Sequence, residues 1–510
     1  MLNRRALLRS GALLGTTMAA GGLLAPAVAA RSRGTDGVNW SRLAARLRGD
    51  LVLPADAGYD LARQVEFAEY DAIRPAAIAY CETAEDVRQA VLFARRHDIE
   101  VRPRSGGHST AGWSTGTGLI IDTSRIAHAT VTGSTIHIGP GLQAVDALAT
   151  LAPLGKQIVT GTCPTVCQGG FVSGGGVGYQ TRKYGLGSDR LVSARIVLAD
   201  GSIVRASASA EPDLYWALRG SGGGNFGVVV DFELRPIFQP RMNYFSAYWS
   251  WDRIQDVLAA WQSWTIAAPD ELSSQLIVIL PDAAPGTRPI VWLRGGHMGS
   301  LAATNAALAA LTAEIGAPAD EQTVLDLPYH EAMSHVYGCE SLTREQCHRV
   351  GHNPDAVLPR VGFGRQRNRM FSRALNASEL ANVISVYDGD RRAGQTRFLS
   401  FTGLGGAASR VPRTATAYVH RDAEFFVSFG VSLAEGSPDP ADAAAAEAFV
   451  DAGFAALDPA SNGESYINFP DMRLTDWRRA YYGENYPRLV KVKNHYDPHH
   501  FFRNPRSIGS

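Results

Sequence analysis

The apolar positions change period several times along the chain, and each change marks an element. AAIAYC (76–81) is a short apolar run, Thr83 and Asp86 form a capping box, and Val87, Ala90, Val91 and Ala94 recur at helical spacing. IEVRP (99–103) predicts a strand that runs straight into a glycine loop, RSGGHSTAG (104–112). LIID (119–122) predicts a strand, ATVTGSTIHIG (129–139) a hairpin turning at Gly133, and LQAVDALATLA (142–152) a helix. LVSARIVLADGSIVRAS (191–207) reads as two strands joined at Asp200-Gly201, a strong hairpin signal. PDLYWALRG (212–220) predicts a helix, followed by SGGGNFG (221–227) and the apolar run VVVDFELRP (228–236). Beyond Pro240 the composition shifts. Apolar strands such as LIVIL (276–280), IVWLRGG (290–296) and FFVSFG (425–430) alternate with alanine-rich helices at 301–317 and 442–458, which predicts a sheet with helices packed on it. SPDPAD (437–442) and LDPASNG (457–463) read as loops. The last segment, YINFPDM (466–472) through HYDPHHFFRNPRSI (495–508), is aromatic enough to be a returning arm rather than a tail.

Between these elements lies GTCPTVCQGGFVSGGGVGYQTRKYGLGSD (161–189), with seven glycines from Gly161 to Gly178. Backbone that bare costs conformational entropy on folding, so it implies backbone held close to something. A chain of 510 residues exceeds one ordinary core, and about two domains are expected. Lys plus Arg and Asp plus Glu are both 49, which argues against a nucleic-acid partner. Residues 1–30 read as an export signal: Arg4 and Arg5 precede a modest apolar run that ends at Ala27-Val28-Ala29, a twin-arginine-like pattern. After its removal no apolar run approaches the roughly 20 residues of a membrane helix, so no membrane partner is expected beyond the export machinery. Of the five cysteines, Cys339 and Cys347 are close enough to close a short loop, leaving Cys81, Cys163 and Cys167.

Three motif readings fail on context. Gly222, Gly224 and Gly227 fit G-x-G-x-x-G, but a helix precedes and a strand follows, the reverse of a Rossmann site. Gly112-Trp113-Ser114-Thr115-Gly116 fits the serine-hydrolase elbow without the helix that must follow it, so a secreted serine hydrolase is a remote alternative. His499 and His500 are adjacent and lack a helical partner, so no metal site is expected. What survives is an anionic, planar cofactor against both glycine loops, with RSGGHS supplying a nest of N–H groups for a pyrophosphate.

RSGGHS, G-T-C-P-T-V with SGGGVG and RKYGLGSD, GSGGGNFGVVV, and then YIN and NYPRLVKVK with DPHHFFRNPRSI follow one another in this order. From about residue 60 to the C-terminus this resembles the berberine bridge enzyme-like family of FAD-linked oxidases, within the vanillyl-alcohol oxidase and p-cresol methylhydroxylase (PCMH) type flavoproteins. The resemblance implies an α+β fold: a PCMH-type FAD-binding domain of two α+β subdomains (38–240), a substrate domain with an antiparallel sheet covered by helices (241–462), and a C-terminal segment (463–510) returning to the FAD domain. It implies FAD attached twice, through His108 and Cys163, since imidazole and thiolate are nucleophiles able to add to the electron-poor flavin. Cys167 is not the equivalent position and is expected to be a small buried hydrophobe. The cofactor site carried over comprises Arg104, Ser105, Gly106, Gly107, Ser109, Thr162, Val166, Gly169, Gly170, Gly174, Gly175, Gly178, Tyr184, Gly185, Gly227, Val228, Val229 and Asn468. Val166 resembles residues that leave room for dioxygen, implying an oxidase that yields hydrogen peroxide. Tyr466, of the Y-x-N motif, is implied as general base on a substrate hydroxyl.

Three departures bear on the substrate. Phe171 stands where many relatives have a histidine near the flavin's pyrimidine edge. Thr110 stands where sugar-oxidising relatives often carry tyrosine, and Thr402-Gly403-Leu404 lacks the usual tyrosine or aspartate before Gly405-Gly406. Thr110, Thr402 and Leu404 are therefore the expected substrate contacts. A small-molecule alcohol of secondary metabolism is preferred, with a sugar or oligosaccharide as the alternative.

Overall fold

The computed structural model describes residues 37–434 and 438–510; the expected export signal and residue 437 of a predicted loop lie outside them. The first sheet holds β1 (Leu51–Val52), β2 (Ala77–Tyr80), β3 (Val101–Arg104) and β4 (Leu119–Asp122) in the order β1-β2-β4-β3. β4 pairs in parallel with β2 and β3, and such pairing requires a crossover, which the helix Ala84–Arg96 supplies between β2 and β3. Its predicted capping box forms: Thr83 Oγ1 accepts from the Asp86 N–H at 3.1 Å and Asp86 Oδ2 accepts from the Thr83 N–H at 3.2 Å. Val87, Ala90, Val91 and Ala94 are buried against β2, β3 and β4.

The second sheet is antiparallel: β5 (Ala129–Thr132), β6 (Thr135–Ile138), β7 (Leu191–Val197), β8 (Ile203–Ser207) and β9 (Val228–Leu234), ordered β5-β6-β9-β7-β8. Both predicted hairpins are present, and their turns place Gly133 and Gly201 at φ of +58° and +83°. The third sheet is also antiparallel throughout: β10 (Arg241–Trp249), β11 (Leu272–Leu280), β12 (Ile290–His297), β13 (Glu321–Pro328), β14 (Phe363–Phe371), β15 (Thr396–Gly403) and β16 (Phe425–Leu433), ordered β13-β10-β12-β11-β15-β16-β14. One face of this sheet buries Leu276, Val278, Leu399, Phe401, Val427 and Phe429 under helices Ile254–Ile266, Leu301–Ile315, Ala377–Asp388 and Pro440–Leu457, forming the largest core. Strand alternation sends Gln275 and Thr402 to the opposite face. That face closes the functional cavity.

The C-terminal arm returns as helices Trp477–Tyr482 and Tyr486–Tyr496, whose Trp477, Leu489 and Val492 share one core with β6, β7 and β9. Within it Lys493 is fully buried, and its ammonium donates to Asp497 Oδ2, Asn225 O and Phe502 O, each at 2.6 Å. A buried cation survives only when paired and fully hydrogen-bonded. Here its partners tie the arm to the SGGGNFG loop. Cys339 and Cys347 form a disulfide.

Candidate functional site

A cavity of about 470 Å³ opens where the two glycine loops, the end of β9, the C-terminal arm and the free face of the third sheet meet. It gathers Arg104, Ser105, Gly106, Gly107, His108, Ser109, Thr110, Thr162, Cys163, Val166, Gly169, Gly170, Gly178, Gly227, Val228, Val229, Thr402, Tyr466 and Asn468, drawn from segments far apart in the chain. β3 ends at Arg104, whose guanidinium is buried, ion-paired with Asp122 at the end of β4, and bonded to Ala62 O at 2.8 Å. That clamp fixes where the loop begins.

Several predicted residues lie outside the wall. A Cβ on Gly174 would fall on Asn468 Oδ1, far inside van der Waals contact, and one on Gly175 would meet the Tyr418 ring at 2.7 Å. Gly185 is closed off by Asp189, while the Tyr184 hydroxyl turns outward to Phe238 O and Gln239 Oε1. Leu404 is buried among Tyr418, Phe426 and Tyr466. The glycine-rich stretch therefore has two uses: Gly169, Gly170 and Gly178 border the cavity, with Gly169 and Gly178 also pressed against Ser105 and the Thr160 carbonyl, whereas Gly174 and Gly175 only let protein approach protein.

At one end of the cavity His108 Nε2 and Cys163 Sγ share a partner, Thr165 Oγ1, at 3.0 and 3.5 Å. Burial, partly opposed by the charge of Glu66, lowers the His108 pKa and so favours the neutral imidazole. Burial raises the Cys163 thiol, and hydrogen bonds from Thr165 work against that rise. Cys167 differs. Its thiol is buried, donates to Gly141 O at 3.2 Å, and is pushed far up by burial.

At the other end, the Tyr466 phenol oxygen accepts from Gly176 N–H and Val177 N–H, each at 3.1 Å, and from the Asn468 amide at 2.9 Å. A neutral phenol oxygen has two lone pairs and its own proton, so three donors suit a phenolate better. Burial nonetheless dominates and pushes its pKa up to about 12, with the three donors pulling the other way. Phe171 turns its ring toward Gly176 and Gly161, where added Cβ atoms would come within 2.7 and 3.3 Å, and its carbonyl accepts from Asn468.

The sheet side carries residues that sequence reasoning missed. Gln275 Nε2 donates to Thr402 Oγ1 at 3.2 Å, and Gln275 Oε1 accepts from Tyr179 Oη and the Arg294 guanidinium at 3.0–3.3 Å. Gln366 and Phe426 also border the cavity. Gln275 ends a polar run, Ser273-Ser274-Gln275, just before LIVIL, so no alternation singled it out. Thr110 spends its hydroxyl on Pro470 O at 3.1 Å. Glu66 was missed entirely.

The residues present fit FAD. The N–H groups of residues 105–109 have no acceptor among the described residues, and Arg104 Nη1 is buried without a partner. Unsatisfied donors of this kind match a pyrophosphate. The other motif readings do not survive: residues 112–118 form turns with no helix behind Ser114, and the G-x-G-x-x-G run opens β9. Asp146, His348 and His352 place ligand atoms within 4.8 Å of one another. Yet Arg344 already pairs with Asp146 at 2.8 Å, and the two imidazoles stack 4.4 Å apart at 5°, so no ion can lie in both ring planes.

A family model described as FAD binding domain matches residues 75–207, and one described as berberine and berberine like matches 465–509. The FAD-linked oxidoreductase pynB of Aspergillus niger is 30% identical over 491 residues, covering 88% of this chain and 86% of that protein. The chitooligosaccharide oxidase of Gibberella zeae is 29% identical over 448 residues, covering 85% and 87%. Among solved structures, Physcomitrella patens BBE-like 1 matches with a TM-score of 0.82 at 21% identity over 92% of this chain and 98% of that one, which shows the same α+β, PCMH-type fold.

Proposed function

The chain belongs to the berberine bridge enzyme-like family of FAD-linked oxidoreductases, and from that premise we propose that it is an alcohol oxidase carrying FAD on both His108 and Cys163. The observation that carries the reading is the placement of Tyr466, with three donors on its oxygen, in the same cavity as two nucleophiles that share Thr165. FAD supplies the two-electron acceptor, which dioxygen returns to its oxidised form with release of hydrogen peroxide. The protein does the rest. Residues 105–109 and Arg104 hold the anionic part, His108 and Cys163 anchor the ring, and Val166 leaves room beside it. Tyr466 takes the proton of the substrate hydroxyl, while Gly176, Val177 and Asn468 hold its oxygen in place.

The substrate is a primary or secondary alcohol of a secondary metabolite in the preferred reading, because Thr110 and Leu404 offer no free polar group to the cavity. Oligosaccharide oxidation is the second reading, supported by the Gln275–Thr402–Tyr179 wall and by the named activity of the Gibberella relative. The same proposal sends the protein out of the cytoplasm on a twin-arginine signal, consistent with a disulfide at Cys339–Cys347. Acid denaturation followed by mass spectrometry of flavin peptides tests the anchors, and an alcohol panel with peroxide detection tests the reaction. Flavin released in full by acid, or a yellow protein that no alcohol bleaches, would overturn it.

A further inference from the structure

Beside the His108 end of the cavity lies a carboxylate that the oxidation chemistry does not use. Glu66 sits in the loop before the first turn of residues 68–72, with its N–H donating to Gly107 O at 3.1 Å, so it is fastened to the same loop as His108. Its side chain is largely buried, at 14% exposure, and Oε2 has no hydrogen-bond partner. That oxygen lies 3.8 Å from His108 Nε2 and 3.9 Å from Arg349 Nη1, which is also buried and unpartnered. A buried carboxylate oxygen without a donor is costly, and this one faces both an imidazole nitrogen and a guanidinium. His108 Nδ1 makes no hydrogen bond among the described residues, whereas Nε2 faces Thr165 and Glu66.

We propose that Glu66 is the positioning residue for flavin attachment at His108, with the Arg349 guanidinium beside its carboxylate. This rests on the reading that FAD is anchored at His108. The Glu66 carboxylate favours the tautomer with the proton on Nε2, which leaves the Nδ1 lone pair as nucleophile. The flavin 8-methyl group would lose one proton to solvent, the electron pair of that C–H bond passing into the ring system, and Nδ1 would then form the C–N bond to that carbon. The imidazole becomes cationic, and its Nε2 proton is stabilised by, and handed to, Glu66. Dioxygen is the oxidant: methyl C–H plus imidazole N–H plus dioxygen gives the C–N bond plus hydrogen peroxide. The arrangement parallels the carboxylate that orients and charge-stabilises a catalytic histidine. Cys163 hydrogen-bonds to Thr165 and not to Glu66, whose charge only raises the thiol's pKa, so removing that charge should not slow the Cys163 link.

The test is Glu66→Gln in the full chain, which removes the charge and keeps the shape, with flavin-linked peptides quantified by mass spectrometry over time after FAD is added to flavin-free protein. The Cys163 link serves as an internal control for folding and FAD binding. The expected result is normal flavin on the Cys163 peptide with attachment at His108 slowed on the order of tenfold or more, and partial recovery in Glu66→Asp. Arg349→Met should slow the same bond in the same direction. Equal rates at His108 in wild type and Glu66→Gln would overturn the proposal, as would loss of both links together. A wild-type protein with no flavin on the His108 peptide would instead overturn the anchoring assignment.

Discussion

Replacing Tyr466 by phenylalanine removes one oxygen, and the structure says what that oxygen does. It accepts three hydrogen bonds, from Gly176 N–H, Val177 N–H and the Asn468 amide. As a base it would contribute roughly 10²–10⁴-fold to the chemical step, or about 3–5 kcal/mol of barrier. As a mere packing group it would contribute to binding and stability alone. The two roles separate in an anaerobic stopped-flow experiment that follows bleaching of the flavin at rising substrate concentration. Tyr466→Phe should cut the limiting reduction rate by at least about a hundredfold while the apparent Kd moves by only a few-fold. The pH profile adds a second reading. Because burial pushes the phenol to about 12, the phenolate fraction grows with pH throughout the working range. The wild-type reduction rate should therefore climb with pH where the phenylalanine variant stays flat. Equal losses in rate and binding, or a wild-type profile as flat as the variant's, would refute the assignment. The three donors left unpaired cost about 1–3 kcal/mol each, so a lower Tm is expected alongside and does not distinguish the roles.

Cys163→Ala should leave a single flavin link and Cys167→Ala both, read as the mass of acid-precipitated flavin peptides, because only the Cys163 thiol is free of the Gly141 carbonyl. Gly174→Ala drives a methyl into Asn468 and should lower both Tm and the reduction rate, by about 1–3 kcal/mol in stability if the arm shifts to accommodate it. The Asp146–His348 pair should make stability fall as pH rises. Burial alone would lower His348, but the hydrogen bond and charge of Asp146 outweigh it and raise its pKa. The stabilisation is then complete below the ordinary histidine value of about 6.5 and is lost as pH climbs through the raised one. Asp146→Asn should flatten that slope in urea titrations. Phe171→His buries an imidazole beside Gly176 and Gly161, and should lower Tm without speeding flavin reduction.

The elements with strong local signals were legible: the Thr83–Asp86 capping box, the hairpins at Gly133 and Gly201, and the returning arm all stand where the pattern put them. The glycine loops were legible as backbone held close to something, but not which glycine served which neighbour. Gly170 and Gly174 are four residues apart, yet one borders the cavity and the other makes room for Asn468, nearly 300 residues away. No local spacing encodes that difference. The same holds for Gln275 with Thr402, which meet only because β11 and β15 are neighbours in the third sheet, and for Glu66, which gains meaning only when His108 and Arg349 arrive beside it.

These misses share a physical origin that also bears on the substrate question. The flavin side of the cavity is built from contiguous loops, so its chemistry is written in short runs such as RSGGHS and TCPTV. The sheet side is built from single residues on separate strands and is set by register. Phe171 belongs to the first kind. Its ring fills space that Gly176 provides at φ +84°, a conformation that side chains other than glycine adopt only under strain. Phenylalanine and glycine at these two positions are thus one packing solution, and a histidine's polar ring has no partner waiting there. The departure at Phe171 is a property of this core. The departures at Thr110 and Leu404 are different: both residues already spend their polar groups on the protein, Thr110 on Pro470 and the Leu404 carbonyl on Arg182. The polar side chains that the third sheet brings to the cavity are Gln275, Thr402 and Gln366, with Tyr179 of the glycine-rich segment bonded to Gln275 beside them.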